Sequence, residues 1–197
     1  MRYLLRDSIS PTYTFSASPD VCEVTSNSIA MAITVDDVKD YALIYDNESD
    51  TAIENQIKAT QSKIERFVNR DSTVRNRVAL WALPQEIIEI PYGVHSNIIV
   101  YQRLSEADDW ELKTEDIDYY VIDSATKYKS IRLKQLTQTK ITYTSGSATI
   151  DPEMKQAIIQ EVTFFFKNRN DPDARVAETR NGISLATYNL LTGYIRY

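Results

Sequence analysis

Eight acidic side chains fall between residues 106 and 123: Glu106, Asp108, Asp109, Glu111, Glu115, Asp116, Asp118 and Asp123. A carboxylate pair drawn from such a run suits glycoside or metal-assisted hydrolysis, in which one acid protonates and another activates water. No companion motif supports that chemistry, and a solvated acidic loop and strand accounts for the same residues. His95 is the single histidine, so a Ser–His–Asp triad would need it as base. It lies in Tyr92-Gly-Val-His-Ser-Asn97, which reads as a turn between strands. Asp46-x-Glu48-x-Asp50 has calcium-loop spacing, but Thr51 stands where that loop needs glycine and Ile57 where it needs a bidentate glutamate. The four glycines, Gly93, Gly146, Gly182 and Gly193, lie too far apart for any phosphate or dinucleotide cradle. One histidine and one cysteine, Cys22, leave no Cys/His zinc cluster. The expectation is a protein that is not an enzyme, with no cofactor and no metal.

The stretch after the acids reverses sign. Ser124 to Ser147 carries Lys127, Lys129, Arg132, Lys134 and Lys140 with no acid at all. Adjacent blocks of opposite charge pair either across strands of one subunit or between neighbouring copies, each showing two different faces. The whole chain is acidic, with net charge −6 and a pI near 4.9. That balance gives a poor grip on nucleic-acid phosphates, although a like-charged surface can face DNA without holding it. A lone cysteine fits a reducing compartment. Met1-Arg-Tyr-Leu-Leu-Arg-Asp7 breaks into charge too early for a secretory core, and no run approaches the roughly 18 apolar residues of a membrane span. A soluble, intracellular protein is expected.

Hydrophobic residues make up 43% and charged residues 25% of the chain, a globular balance. Residues 1–33 read as a Ser/Thr-rich, partly extended arm with one or two short strands, followed by one domain over 34–197. Thr34-Val-Asp-Asp37 starts a short helix, and Thr51-x-x-Glu54 offers a capping box for a second over about 51–69. On that helix Ile53, Ile57, Ile64, Phe67 and Val68 form one stripe. From about 76 to 145 the rhythm shifts to period two, with strands predicted near 77–81, 86–90, 96–101, 118–122, 130–133 and 140–144. Asp151-Pro152-Glu153 opens a third helix that stops near Arg169, before Asp171-Pro172. Met154, Ile158, Ile159, Val162, Phe165 and Phe166 share one arc of it, and Phe164 falls outside. The fold class is therefore α+β: a helical body from N- and C-terminal helices, with an inserted antiparallel β region at about 76–145.

Four segments in this order carry a family resemblance. Thr34-Val-Asp-Asp-Val-Lys39 resembles the Thr-x-Glu-Glu-x-Lys opening of the first helix of the head–tail connector, or adaptor, proteins of tailed bacteriophages. Ile141-Thr-Tyr-Thr-Ser-Gly146 is similar to their Val-x-Tyr-Thr-x-Gly strand and turn. Pro152-Glu153 through Ile158 to Phe166-Lys-Asn-Arg169 resembles their Pro-Glu…Ala-Ile…Tyr-x-Asn-Arg helix. Leu190-Leu-Thr-Gly-Tyr194-Ile-Arg196 resembles their Leu-Leu-x-x-Tyr-Arg terminus, with Ile195 inserted. The likeness spans roughly residues 30–197.

This resemblance implies a structural subunit of the virion neck, assembled in the host bacterial cytoplasm. It implies a ring, commonly of twelve copies, beneath the portal protein and around a channel through which DNA passes unbound. Stopper or tail proteins would dock below. A different neck ring, such as a stopper or tail-completion protein, and a small acid-dependent hydrolase are the alternatives. A helix with more apolar surface than one core needs, and an apolar tail, both call for partners. Leu185, Tyr188, Leu190, Leu191, Tyr194 and Ile195 are the expected docking residues for portal or neighbour, unless they fold back on their own helices. Phe164, Phe166, Lys127, Lys129, Arg132, Asp108 and Asp109 are the candidates for the subunit interface.

Overall fold

A computed structural model describes residues 18–25, 30–123, 129–169, 179–180 and 182–194. The first helix, α1 (Val35–Ala42), is fixed by a full capping box. The Thr34 hydroxyl accepts from the Asp37 backbone N–H at 3.1 Å, and the Asp37 carboxylate accepts from the Thr34 N–H at 2.9 Å. Leu43, with φ 58°, ends the helix in the left-handed region. The second helix, α2 (Asp50–Val68), starts differently from the sequence expectation. Its N-cap is Ser49, with no side-chain cap bond, and Glu54 pairs with Lys58 one turn on. The anchor at this end is Asp50, held by Lys39 of α1 at 2.9 Å. Asp151 caps α3 (Pro152–Lys167), accepting from the Glu153 N–H at 3.2 Å. A short helix α4 (Leu185–Leu191) and a 3-10 turn (Thr192–Tyr194) follow.

The helices bury their stripes against one another. Ile53, Ile57, Ile64 and Val68 of α2 meet Met154, Ala157, Ile158 and Val162 of α3, with Val38 and Leu191 at the sides. Burial of these side chains, Ala157 excepted, at about 1.5–3 kcal/mol each is what holds the helical layer together.

The strands form a second body. A five-stranded sheet runs in the order β1 (Val21–Val24), β2 (Arg75–Trp81), β8 (Gln138–Ser145), β4 (His95–Arg103) and β5 (Glu111–Leu112). A three-stranded sheet runs β3 (Ile87–Glu89), β7 (Lys129–Leu133) and β6 (Tyr119–Asp123), and a hairpin joins β9 (Thr179–Arg180) to β10 (Ile183–Ser184). All these pairings are antiparallel. Both larger sheets turn alternate residues inward to one core, in which Trp81, Ile88, Val100, Ile131, Ile141 and Tyr143 are buried. The arm contributes directly to this body, because β1 adds an edge strand to β2. Gly146 closes β8 with φ +80°, and a Cβ there would overlap the Thr73 carbonyl.

His95 is a correction. It opens β4 opposite Ser145 and is buried, whereas the turn is confined to the residues before it, where Tyr92 and Val94 take positive φ. Its Nε2 lies 2.9 Å from the Pro91 carbonyl and its ring meets Tyr143 edge-on at 5.4 Å. Register with β8 draws it into the sheet.

A buried ionic joint connects the two bodies. Glu65 of α2 receives the Arg75 guanidinium of β2 at 2.8 and 3.0 Å, and also the Ser72 backbone N–H at 3.0 Å. Asp71 takes Arg77 in a two-pronged pair at 2.6 and 2.7 Å, and also accepts from the Ser145 hydroxyl of β8. Arg77 lies over the Tyr92 ring, 3.6 Å from its centroid. Burial works against the Arg77 charge, but hydrogen bonds and attraction to Asp71 outweigh it and raise its pKa. Two carboxylates thus balance two guanidinium groups.

Removing one partner leaves an uncompensated charge in this joint. Asp71→Ala is expected to destabilise the protein by about 3–5 kcal/mol, measured by urea denaturation; a loss below the range of ordinary surface changes would refute the joint's role. Asp37 gives a pH signature. Its hydrogen bond from Lys155 first, then that from the Thr34 backbone, hold its pKa below the ordinary carboxylate value against burial. A depressed carboxylate stabilises above its unfolded pKa, about 3.9, and loses that contribution as pH falls through the folded value. The stability gap between wild type and Asp37→Asn should be constant near neutrality and shrink below about pH 4.

Candidate functional site

Three groups of apolar side chains stay exposed, and none surrounds a reactive cluster. The first lies at the C-terminal ends of α1 and α3. Tyr41 and Leu185 are 48% and 52% exposed, and with half-buried Phe164 they line a cleft of about 470 Å3 to which Lys167 adds a charge. Leu43, Tyr45, Phe166 and Arg169 border a second, more open groove that also holds Asp46, and the Arg169 guanidinium lies over the Phe166 ring at 4.9 Å. The α1 helix stops at Leu43 because that residue turns left-handed, which pushes its side chain outward at 69% exposure.

The second group is the β4–β5 edge. Leu104 and Leu112 are 81% and 65% exposed, beside a cleft lined by Asp108, Asp109 and Glu111 together with Arg103 and Lys113. Asp108 shapes the loop by accepting from the Ser105 N–H at 2.9 Å and its hydroxyl at 2.8 Å. Trp110 lies between two cations, 4.5 Å from the Arg103 guanidinium and 4.8 Å from the Lys140 ammonium. The third group is the outer face of the small sheet, where Tyr120 and Ile122 point away from the core. Arg132 there donates to Glu86 at 2.7 and 3.2 Å, and Lys134 sits 4.6 Å over the Tyr120 ring.

The predicted tail residues separate into two kinds. Leu191 is fully buried in the helical core and Tyr188 is 8% exposed, its ring 5.7 Å from that of Phe67. Leu190 and Tyr194 pack partly on the same core. Burial first, and then its hydrogen bond to Asp151, push the Tyr194 phenol pKa up. For these four side chains the fold-back alternative is the observed arrangement, because α4 completes the face of α3. Leu185 alone among the described tail candidates is an exposed large apolar residue. A buried carboxylate secures the turn into α4: Glu161 accepts from the Ser184 N–H at 2.9 Å and from Lys63 at 3.3 Å.

The interface candidates are scattered rather than gathered. Phe164 and Phe166 flank the helical clefts, Asp108 and Asp109 lie at the β4–β5 edge, and Arg132 is engaged with Glu86. Lys129 is half-buried at the start of β7, opposite Asp123. Lys127 and Ile195 lie outside the described residues. Tyr41, Leu43 and Tyr45 are not among the residues singled out from the sequence; the signal available is the apolar run Tyr41-Ala-Leu-Ile-Tyr45 across the end of a short helix. Among the described residues no group of three acids, histidines or cysteines is placed to hold a metal, and no helix is long and apolar enough to cross a membrane.

This α+β fold, with its apolar faces and no reactive cluster among the described residues, matches solved structures of virus-like particle necks. A chain from the neck of an empty GTA particle computed with C6 symmetry aligns with TM-score 0.67 at 12% identity, covering 90% of this chain and 97% of that one. A chain from the neck of the native GTA particle computed with C12 symmetry aligns with TM-score 0.66 at 12% identity, covering 90% and 97%. A chain of the native gene transfer agent virion aligns with TM-score 0.62 at 12% identity, covering 89% and 96%. No curated protein matches the chain. The fold class is the one shared with chains of these neck assemblies. The chain belongs to the head completion protein family, whose pattern matches residues 31–189.

The division of the tail has a direct consequence. Leu191→Ala should cost about 2–5 kcal/mol, whereas Leu185→Asp should change stability by no more than about 0.5 kcal/mol, both read from chemical denaturation. Equal effects would mean that the two leucines share one environment.

Proposed function

We propose that this protein is the adaptor subunit of a tailed-phage or phage-like neck, one copy of a ring that docks under the portal and surrounds the DNA channel. The ring presents its far side to stopper or tail proteins. The observation that carries this reading is membership of the head completion family over most of the chain, joined to a fold shared with neck chains along nearly their whole length. The similar neck chains belong to assemblies of C6 and C12 symmetry, which favours twelve copies here.

The physical chemistry agrees with a role in assembly rather than turnover. The chain holds two packed cores yet leaves large apolar side chains exposed at three separate places, and such surface is ordinarily covered by partners. The net charge of −6 suits a wall that DNA passes without sticking. Expression in the host cytoplasm and incorporation into the virion neck follow from the same reading.

Electron cryomicroscopy of the assembled particle tests it. The expected map has density for this chain as a closed ring directly against the portal, with tail or stopper proteins on the opposite side. A ring that touches tail proteins but no portal would make the protein a stopper or tail-completion component instead.

A further inference from the structure

The β6 edge of the small sheet ends in unpaired backbone. The Lys134 N–H donates to the Asp118 carbonyl at 3.0 Å, which continues the β6–β7 register by one hydrogen-bonded pair. Such pairs recur at every second residue, so Tyr120 and Ile122 bond inward to β7, while Tyr119, Val121 and Asp123 direct N–H and C=O away from it. A turn uses part of that outer row, since the Tyr119 carbonyl accepts from the Asp116 N–H at 2.8 Å. Val121 and Asp123 have no strand beyond them among the described residues. The side chains between and beside them, Tyr120 and Ile122, are 44% and 42% exposed. Other margins are less open to pairing. β3 and β5 hold three and two residues. The free half of β4 is irregular between Ser96 and Ile99, where Asn97 takes φ 50°, and a bulge of this kind turns an edge away from partners. Tyr119-Tyr-Val-Ile-Asp123 has neither bulge, proline nor lysine to guard it.

The topology and the chain ahead of the described residues name an occupant. β2 leads into β3 through residues 82–86 and β5 into β6 through residues 113–118, so the stacked sheets set β6 at the β5 margin, opposite β1. The arm departs from that opposite margin. Asp20 is tied there to β2, its N–H donating to the Leu80 carbonyl at 2.9 Å and its carboxylate accepting from the Ala82 N–H at 2.7 Å. Residues 1–17 precede this anchor, and within them Thr12-Tyr-Thr-Phe-Ser16 alternates hydroxyl and aromatic side chains with no charge, the composition of a strand. An extended chain advances about 3.3 Å per residue, so residue 12 can stand up to about 30 Å from Val21. In a ring, each copy offers different patches to its two neighbours. We infer that Thr12–Ser16 of one copy adds as an antiparallel strand to β6 of the next. Thr14 lies opposite Val121 and exchanges both backbone bonds with it, which sets Tyr13 against Ile122 and Phe15 against Tyr120 on the exposed face. Charge plays no part: Arg132 keeps Glu86, and Lys134 keeps the Asp116 carbonyl. This inference rests on the ring reading above and gives the arm its role, that of fastening one copy to its neighbour.

A cysteine pair tests the register in assembled particles. Residues facing each other in a non-hydrogen-bonded pair stand about 4.5 Å apart at Cα, within reach of a disulfide. Particles are built from the full chain carrying Tyr13→Cys and Ile122→Cys in a Cys22→Ser background, and are then mildly oxidised. The expected result is a ladder of covalent multimers on a non-reducing gel, lost on reduction. A disulfide confined to single chains would mean that the arm closes on its own copy. Either that product or no product overturns the joint.

Hydrogen exchange on the wild-type chain supplies a second measurement, and it decides the matter if the cysteine variant does not assemble. Peptides covering residues 12–16 and 119–123 are compared between particles and the chain diluted until its mass is that of one copy. Both should exchange at least about tenfold more slowly in particles, as newly bonded strand amides do. Unchanged exchange in either segment overturns the joint. Particles that hold the chain as a neck ring but give no ladder sink the joint and leave the adaptor reading standing. A chain found in no ring sinks both.

Discussion

The architecture depends on the buried ionic joint between α2 and the five-stranded sheet. Among the described residues the helical and sheet cores form separate apolar clusters, so hydrophobic burial alone would leave their mutual orientation loosely specified. Glu65, Asp71, Arg75 and Arg77 are each at most 5% exposed, and their geometry tolerates few alternatives. A carboxylate receiving a guanidinium in two-pronged fashion fixes distance and plane together. A buried ion pair contributes little net stability compared with an apolar replacement, because desolvation offsets attraction. What it contributes here is register: α2, β2 and β8 meet in one arrangement.

That arrangement determines where the unsatisfied surface lies. With the helical stripe spent on α2–α3 packing and the inward strand faces spent on the sheet core, the remaining apolar groups face outward on separate elements. The C-terminal segment illustrates the balance. Read as sequence it is a greasy tail without a neighbour, yet Leu191 and Tyr188 find one in the groove beside α3. The surplus therefore sits elsewhere, on Tyr41, Leu43, Tyr45 and Leu185, and on the leucines of the β4–β5 edge. A subunit with two ionically joined bodies and exposed patches on each is suited to a closed assembly, where every copy must meet two neighbours.

Local chemistry made much of this legible beforehand. Thr34 with Asp37, Asp151 with Pro152, and Gly146 after a period-two run each specify a boundary through bonds to near neighbours, and each is found where the residues place it. The same locality explains the errors. Thr51 and Glu54 satisfy the capping pattern, but Asp50 is drawn into an ion pair with Lys39, and the helix begins there. His95 stands in a run that turns, yet pairing with β8 claims it for the strand.

The sequence by itself determined the α+β class, the starts of α1 and α3, the period of the strands, the want of phosphate-cradling and zinc-binding motifs, and the resemblance to phage connectors. Those properties are carried by residues a few positions apart, where side chain and backbone satisfy each other locally. Only the tertiary structure decided which apolar residues are hidden, that Glu65 meets Arg75 and Asp71 meets Arg77, and that Phe164 shares a cleft with Tyr41 and Leu185. The reason is physical. Burial and ion pairing between distant segments depend on how whole elements stack, and no spacing along the chain encodes the neighbour that arrives from another element.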